Sequence, residues 1–243
     1  MSENLGNSQY GTDTLEVISE AKEFNQWMYR IIKPHCSGNI LEIGSGIGNI
    51  SQYFVEDGAD ISLSDIETSY FPLLKEKFAE KENFKGVQLL DLSDKELEKK
   101  HPELIEAYDT IFALNVVEHI LDHQTAMANA KKMLRPGGKV VILVPAFQWL
   151  FNGFDEQLDH YRRYTQKSLS SLLEGAGFEV IHKQYYNAMG VLGWYVSGNI
   201  LKKKMIPGGQ MKLYNSLVPV WKVLDFFTQK IIGLSVVQVG FKS

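Results

Sequence analysis

A short apolar run that ends in closely spaced glycines gives the clearest chemical signal in the sequence. Residues 40–49 read Ile-Leu-Glu-Ile-Gly-Ser-Gly-Ile-Gly-Asn, so Gly44, Gly46 and Gly48 alternate with other residues. Glycines let a backbone turn tightly and approach a ligand closely, and N–H groups at the start of a following helix face that ligand. Glu42 lies within the apolar run, where a carboxylate is costly unless it faces a polar or cationic ligand. The pattern predicts a site for a charged small molecule.

The spacing of these glycines excludes the nicotinamide-dinucleotide fingerprint, which needs the order G-x-G-x-x-G. Gly44, Gly46 and Gly48 give G-x-G-x-G, and the residue three after Gly46 is Asn49. This order is similar to motif I, E/D-x-G-x-G-x-G, of the class I S-adenosylmethionine-dependent methyltransferases. Within that family, the chain resembles a bacterial small-molecule group that is often linked with glycosyltransferase and cell-envelope genes.

Further segments resemble the later motifs of this family in the same order, so that the resemblance covers about residues 20–185. They are Asp65 after the second expected strand, Asp91-Leu92 after the third, residues 108–119 as motif IV, and residues 134–139 before strand five. The resemblance implies that the cofactor is S-adenosylmethionine. It implies cofactor contacts at Glu42, Gly44, Ser45, Gly46, Gly48, Asp65, Ile66, Asp91, Leu92 and Asn115.

The resemblance also implies a role for each polar residue at a strand end. Asp65 would hold the ribose hydroxyls, with Glu67 as the alternative if the strand ends two residues later. Asp91 would accept from the exocyclic amine of adenine, and the N–H of Leu92 would reach the ring. Motif IV would end beside the transferred methyl, near Asn115. Any one of these residues could equally cap a helix or satisfy backbone groups.

The implied chemistry is a direct in-line displacement. The sulfonium is already a good leaving group, so the protein needs chiefly to hold donor and acceptor in line, which can lower a barrier by about 7–11 kcal/mol. No metal is expected, because His119 and His123 have a ligand-like spacing without a third ligand nearby. If the acceptor is a hydroxyl, a base must also reach its proton.

Candidates for such a base and for substrate contacts lie in a charged, aromatic stretch after the fifth expected strand. His160 would be the catalytic base, with Asp159 beside it. Arg162 and Arg163 would form a fork for a phosphate or carboxylate of the substrate. The alternative is that the arginines pair with the acids among residues 155–159 and fasten this loop to the sheet.

The elements that position these residues alternate along the chain. Strands are expected at residues 39–43, 60–64, 86–90, 110–114, 139–144, 178–185 and 235–241. Helices are expected at residues 14–32, from the glycines to 56, and at 69–80, 94–107, 124–134 and 165–173. The alternation predicts an α/β, Rossmann-like, doubly wound sheet. The family resemblance implies seven mostly parallel strands, with the last antiparallel and a helical insertion before it.

Three units are expected along the chain, and the last differs in charge. They are a helical cap at residues 1–38, a cofactor-binding core at 39–187, and a helical lid with the final strand at 188–243. From residue 188 onward, seven lysines accompany one acid, a net +6, which leaves −10 for the rest of the chain. Within residues 188–234, lysines alternate with apolar and tryptophan-containing stretches. A plain cap, a lid over an apolar acceptor and an interface with anionic membrane stay open.

Composition sets the broad class. The 243 residues are 44% hydrophobic and 22% charged, which is typical of a globular protein. A net charge of −4 gives no global attraction to nucleic acid, and the single cysteine, Cys36, excludes an internal disulfide. The expected location is the cytoplasm, with peripheral contact at the inner membrane face as an open alternative.

The sequence therefore predicts a methyltransferase that uses S-adenosylmethionine and a small or lipid-like acceptor, methylated at oxygen, nitrogen or carbon. Two other functions stay open, a non-catalytic S-adenosylmethionine-binding regulatory module and an RNA methyltransferase. A DNA partner is not expected, because residues 115–118, Asn-Val-Val-Glu, lack the Asn/Asp-Pro-Pro-aromatic tetrad of base-flipping enzymes. The sequence does not define the oligomeric state.

Overall fold

The computed structural model describes residues 14–203 and 208–243, which contain a single seven-stranded sheet. Its strands are β1 (Ile40–Ile43), β2 (Ile61–Asp65), β3 (Phe84–Leu89), β4 (Tyr108–Leu114), β5 (Leu134–Pro145), β6 (Glu179–Tyr186) and β7 (Ser235–Phe241). They lie in the order β3-β2-β1-β4-β5-β7-β6. Strands β1 to β5 pair in parallel, and β7 runs antiparallel to both β5 and β6. The predicted fold class is confirmed.

Helices cover both faces of this sheet. They are α1 (residues 14–19), α2 (Lys22–Ile32), α3 (Ser51–Glu56), α4 (Phe71–Lys77), α5 (Leu97–Lys100), α6 (His123–Met133), α7 (Gly153–Gln157), α8 (Gln166–Gly175), α9 (Ala188–Trp194), α10 (Gly208–Ser216) and α11 (Val218–Thr228). Alternate residues of β4 pack into different cores. Ile111 faces the core built with α6 and α8, whereas Phe112 faces the core built with α2, α3 and α4. Both faces are thus apolar, as a parallel sheet between two helical layers requires.

The first expected helix is divided near Ala21. The side-chain amide of Asn25 donates to the backbone oxygen of Ile18 at 2.8 Å, and the backbone N–H of Ala21 donates to the same oxygen at 2.9 Å. Ala21 leaves the helical region, with φ −87° and ψ 63°. The prediction of one helix over residues 14–32 is therefore wrong at this point, although both pieces are helical.

Two other helices are shorter than expected. The helix expected at 94–107 is reduced to α5, because Pro102 follows His101 and disfavours a helical backbone there. His101 accordingly has φ −131° and ψ 57°. After the glycines, residues 46–50 form turns and α3 begins only at Ser51, so the helix does not start directly after Gly48 as predicted.

Residues 188–234, hereafter the C-terminal helical segment, contain α9, a π-helical turn at Tyr195–Ile200, α10 and α11. Asp225 of α11 is buried and accepts hydrogen bonds from the backbone N–H groups of Asn187 at 2.8 Å and Ala188 at 2.6 Å. This carboxylate therefore ties α11 to the first turn of α9.

The strand after this segment returns to the sheet between β5 and β6, so the last predicted unit shares the sheet of the core. The division into three units stays a prediction, and the first 13 residues of the predicted cap lie outside the described residues. Within the described part of the chain, every helix is too short or too polar to cross a membrane.

Candidate functional site

The polar residues predicted at strand ends meet along one edge of the sheet. Strands β3, β2, β1 and β4 are neighbours and run parallel, so their carboxyl ends lie side by side. The backbone N–H of Gly44, after β1, donates to Ser64 in β2 at 2.8 Å. The N–H of Leu90, after β3, donates to Asp65 at 3.2 Å. Such an edge is where open α/β sheets bind ligands.

The glycine turn (residues 44–48) requires glycine at its first position. Gly44 has φ +70°, and a Cβ atom there would overlap the Cγ2 atom of Val116. Val116 follows β4 and packs directly over the turn. The absence of a side chain at Gly44 therefore lets the segment after β4 approach the segment after β1, which brings motif I and motif IV together.

Asp65 is fixed against the glycine turn. One carboxylate oxygen accepts from the N–H of Gly46 at 2.8 Å, and the other accepts from the N–H of Glu67 at 2.9 Å. Burial raises the pKa of Asp65, and these two backbone donors oppose that rise. The alternative residue, Glu67, instead caps a short 3₁₀ turn by accepting from Ser69. Of the two acids, Asp65 is the one whose carboxylate contacts the glycine turn.

Glu42 is the second buried acid beside the turn. Its carboxylate accepts a hydrogen bond from the hydroxyl of Ser51, and burial raises its pKa to about 8, with Asp65 adding to the rise. The hydroxyl oxygen of Ser45 is also buried, and it has no hydrogen-bond partner within residues 14–203 and 208–243. A cationic ligand with polar groups fits this edge, because it would favour the ionised form of Glu42 and could pair with Ser45.

The remaining predicted cofactor residues line the same edge with less defined contacts. Asp91 is exposed and accepts from the N–H and hydroxyl of Ser93 at 2.8 and 2.7 Å. Ile66 is 71% exposed, whereas the side chain of Leu92 is buried in the core. Asn115 adopts φ 54° and donates its backbone N–H to Leu143 at 2.8 Å. Their predicted roles toward a cofactor stay predictions.

His160 lies in a buried polar network after α7. Its Nδ1 atom lies 2.8 Å from Asp155 Oδ1, so its carboxylate partner is Asp155 rather than the adjacent Asp159. Asp155 also caps α7 by accepting from the N–H of Asn152 at 3.0 Å. Burial raises the pKa of Asp155, but the hydrogen bonds from His160 and Arg163 outweigh this effect and keep the pKa below its usual range.

Arg163 forms an ion pair with the carboxylate of Asp155. Its Nε and NH2 groups donate to Asp155 at 2.7 and 3.0 Å, and its guanidinium stacks on Trp194 of α9. Arg162 donates to the backbone oxygens of Ile120 and Leu121 at 3.0 and 3.1 Å. These contacts correspond to the alternative in which the arginines fasten the loop, although Arg162 uses backbone oxygens for this. A substrate contact by either arginine stays a prediction.

The two histidines with a ligand-like spacing do not share a helix face. His119 ends a 3₁₀ turn, whereas His123 starts α6 and places Nδ1 2.7 Å from the hydroxyl of Tyr164. His119 instead approaches His160, with ring centroids 4.6 Å apart. Cys36 is buried.

A comparison with known families identifies the domain that most of the chain forms. Residues 17–183 match the sequence model of a family described as a methyltransferase domain. The chain belongs to this family. The predicted family is therefore confirmed, while the link with cell-envelope genes stays a prediction.

Relatives of this methyltransferase domain occur within much longer proteins. The polyketide synthase component of lovastatin nonaketide synthase from Aspergillus terreus is 30% identical over 140 residues, which is 56% of this chain and 4% of the synthase. The hybrid PKS-NRPS synthetase iccA from Talaromyces variabilis is 32% identical over 109 residues, or 43% of this chain and 3% of the synthetase. The chain spans only a small fraction of the length of these curated relatives.

Solved structures show the same fold at low sequence identity. Phosphoethanolamine N-methyltransferase 2 from Haemonchus contortus, in complex with S-adenosyl-L-methionine, has a TM-score of 0.60 at 18% identity. The match covers 90% of this chain and 52% of that one. A putative sarcosine dimethylglycine methyltransferase from Galdieria sulphuraria has a TM-score of 0.58 at 15% identity, covering 93% and 85%.

Sequence reasoning missed one prominent residue of this methyltransferase domain. Glu118 is fully buried next to His160, and burial raises its pKa to about 8. In the sequence it stands in an apolar run, Asn-Val-Val-Glu-His-Ile, at residues 115–120. The same signal that singled out Glu42, a carboxylate inside an apolar stretch, could have identified it.

Proposed function

We propose that this domain uses S-adenosylmethionine to methylate a lipid-like acceptor that it meets at an anionic membrane surface. The acceptor class rests on one observation, the exposed apolar and basic face of the C-terminal helical segment. The cofactor rests on the glycine turn and its buried acids, together with membership of the methyltransferase family.

The residues beside the glycine turn fit S-adenosylmethionine by charge and by hydrogen-bonding capacity. When bound, this cofactor supplies an electrophilic methyl group on a positively charged sulfur. Asp65 gives the turn a negative potential, and Glu42 would add to it when a bound cation favours its ionised form. A carboxylate has about four acceptor positions, so Asp65 keeps capacity for ribose hydroxyls after accepting from Gly46 and Glu67. Ser45 supplies an unused hydroxyl.

Helix α11 carries apolar residues on two opposite faces. Val218, Trp221 and Asp225 recur at helical spacing and turn inward, where Val218 is fully buried and Asp225 is 6% exposed. The opposite stripe is exposed and comprises Val220, Val223, Leu224 and Phe227, and Ile231 is exposed just after the helix ends. Phe227 and Ile231 are 72% and 75% exposed. One face packs on the domain, and the other presents apolar area to the surroundings.

Exposed apolar side chains are concentrated in the whole segment. Of the nineteen exposed large hydrophobic residues in the described chain, twelve lie in residues 188–234, although this segment is about a fifth of the sequence. Patches of this kind mark interaction sites rather than ordinary surface. The apolar face therefore requires a partner with an apolar interior.

The charge of the segment selects the kind of partner. Its one acid, Asp225, is buried against the start of α9, so its carboxylate does not offset the lysines at the surface. Lys202, Lys212 and Lys230 are exposed among the apolar residues. Apolar side chains flanked by lysines fit the boundary between the acyl chains and the anionic headgroups of a bilayer. A methyl acceptor held in that bilayer would meet the domain at this face.

A calorimetric titration with S-adenosylmethionine tests the cofactor assignment. We expect wild-type protein to bind and Asp65→Ala to bind about 1–3 kcal/mol more weakly, because the ribose hydroxyls lose a charged acceptor. Asp60→Ala is the matched control, since Asp60 is an exposed acid just before β2 that pairs with Lys85. Equal affinity of both variants would contradict the role of Asp65, and no binding by the wild type would contradict the cofactor.

Vesicle sedimentation tests the membrane surface separately. We expect vesicles of phosphatidylglycerol and phosphatidylcholine to capture the protein, and pure phosphatidylcholine vesicles to capture much less. Phe226→Ser/Phe227→Ser should reduce capture at least tenfold, because two side chains more than 70% exposed lose their apolar rings. Leu73→Ser, which changes an exposed leucine on α4, is the control. No capture of the wild type, or salt-sensitive capture of RNA in its place, would overturn the proposal.

A further inference from the structure

A buried carboxylate without partners lies beside the His160 network. Glu118 has no exposed surface, and neither of its carboxylate oxygens has a hydrogen-bond partner on another residue within residues 14–203 and 208–243. The ring nitrogen Nε2 of His160 lies 4.0 Å from Oε1 of Glu118, which is too far for a hydrogen bond. Leaving a buried carboxylate unsatisfied costs free energy. Binding of a ligand between Glu118 and His160 would remove that cost.

Both histidines near Glu118 have one ring nitrogen committed elsewhere. Nδ1 of His160 lies 2.8 Å from Asp155, and an ionised carboxylate can only accept, so Nδ1 donates and Nε2 is the ring nitrogen that could bind a ligand. The ring of His119 hydrogen-bonds to the backbone of Leu158, which leaves its other nitrogen available. Histidines that ligate metals are oriented in this way, by a hydrogen bond from the second nitrogen to a carboxylate or a carbonyl.

The balance of charges around Glu118 favours a bound cation. Arg163 and Asp155 pair directly, so their charges compensate one another. An ionised Glu118 would then be a buried negative charge whose nearby cation, Arg163, is already paired with Asp155. A compact cation at the point where these groups converge would provide a counter-ion.

We propose that Glu118, His119 and His160 bind a divalent transition-metal ion, with Asp155 and Leu158 as the outer acceptors that orient the two histidines. The three side chains offer ligand atoms that all lie within 4.8 Å of one another. Two imidazoles and one carboxylate are a donor set that suits Zn²⁺, Mn²⁺ or Fe²⁺.

The distances require a modest contraction on binding. Ligand atoms about 2.1 Å from one ion lie about 3.4 Å apart at tetrahedral angles, so these atoms would approach by up to about 1.4 Å. His119 has an exposed surface, which gives the ion an entry path and leaves positions for water or an acceptor heteroatom. The site follows Val116, which packs on the glycine turn. An ion there would lie close to the predicted position of methyl transfer.

Metal titration of tag-free protein, after dialysis against a chelator, tests the site without relying on methyl transfer. Calorimetry with Zn²⁺ and with Mn²⁺ should show about one ion per chain for wild type. Glu118→Gln and His119→Gln should each weaken binding at least tenfold, because each removes one ligand. His101→Gln is the control, since His101 lies on the surface near Glu103 and far along the chain from the site.

A second measurement separates lost ligands from lost folding. Co²⁺ bound by two imidazoles and a carboxylate absorbs visible light, so wild type and His101→Gln should show the same bands, and His119→Gln should lose them. Circular dichroism checks that each variant is folded, and His119→Gln is informative because His119 is exposed. The proposal is overturned if wild type binds no ion, or if Glu118→Gln and His119→Gln bind as tightly as His101→Gln.

Discussion

The glycine turn and the C-terminal helical segment depart from ordinary protein surface in opposite ways. At the turn, ionisable groups are inside, since Glu42 and Asp65 are 4% and 8% exposed. In the segment, apolar groups are outside, with Phe226 and Phe227 more than 70% exposed. Each arrangement is unfavourable for the isolated chain, and each becomes favourable with a different partner, a small cation in one case and an apolar, anionic surface in the other.

The difference shows that the two halves of the proposed reaction impose different demands on the fold. The donor site is formed by strand ends and one tight glycine turn, where an added Cβ atom at Gly44 would overlap Val116 after β4. The acceptor side is formed by helices whose outer faces have no internal role. Substitutions at the turn should therefore lower the free energy of unfolding substantially. Substitutions on the outer helical face should change it little when the protein is in water without vesicles.

The largest effect is expected from adding one methyl group at the turn. Gly44→Ala should destabilise the protein by about 2–5 kcal/mol, because alanine at φ +70° is strained and its Cβ would overlap Val116. Gly58→Ala has a similar strain, at φ +76°, but meets no atom within 4 Å, so we expect a loss of about 1 kcal/mol. Urea unfolding measures both.

Equal losses of stability for Gly44→Ala and Gly58→Ala would contradict the proposed difference between the glycine turn and other glycine positions. They would mean that the backbone strain alone matters and that Val116 does not constrain the turn. Gly44→Ala should also weaken the binding of S-adenosylmethionine, whereas Gly58→Ala should leave it unchanged, because Gly58 lies after α3 and away from the strand ends.

Replacing the buried acid Glu42 with a neutral residue should raise the stability of the protein, by less than Gly44→Ala lowers it. Glu42→Gln should stabilise the ligand-free protein at pH 7 by about 1–3 kcal/mol, because burial raises the pKa of Glu42 to about 8 in the folded state. The folded acid keeps its proton at pH values where the unfolded acid has lost it, so the wild type loses stability as pH rises from about 4.5 to 8. Glutamine carries no such penalty.

The pH dependence provides the check on this prediction. Thermal unfolding of wild type and Glu42→Gln should agree near pH 4.5 and separate progressively up to about pH 8. Glu80→Gln, a change at an exposed carboxylate, should follow the wild type throughout. A variant Glu42→Gln that is less stable at every pH would show that Ser51 or another partner already stabilises the ionised form, and the turn would then not be poised for a cation.

The sequence was sufficient to predict the strands of the sheet and the residues that surround the glycine turn. Strand β7 spans Ser235–Phe241, the range expected from the sequence, and Gly46 and Asp65, both expected beside the cofactor, are hydrogen-bonded to each other. These features depend on local patterns, a short valine-rich run in a buried strand and glycine at a turn, that are read directly from neighbouring residues.

The contacts around His160 could not be read from spacing alone. Asp159 stands next to His160 in sequence, but the partner is Asp155, because α7 and its cap turn Asp155 toward the interior. The pairing of Arg163 with that same carboxylate depends on how the loop folds back on the sheet. Long-range packing of this kind determines which of several nearby acids and bases meet, and composition does not contain it.

The smallest expected change in stability comes from replacing valine with alanine on the outer face of α11, compared with the same change on its inner face. Val218→Ala should destabilise the protein by about 1–3 kcal/mol, because Val218 is fully buried. Val223→Ala should change stability by less than about 0.5 kcal/mol, because Val223 is 63% exposed. Urea unfolding in water, without vesicles, measures the pair. A loss at Val223 equal to that at Val218 would mean that the outer face is already covered, by a second copy or by another part of a longer protein, and the contrast between the two regions would disappear.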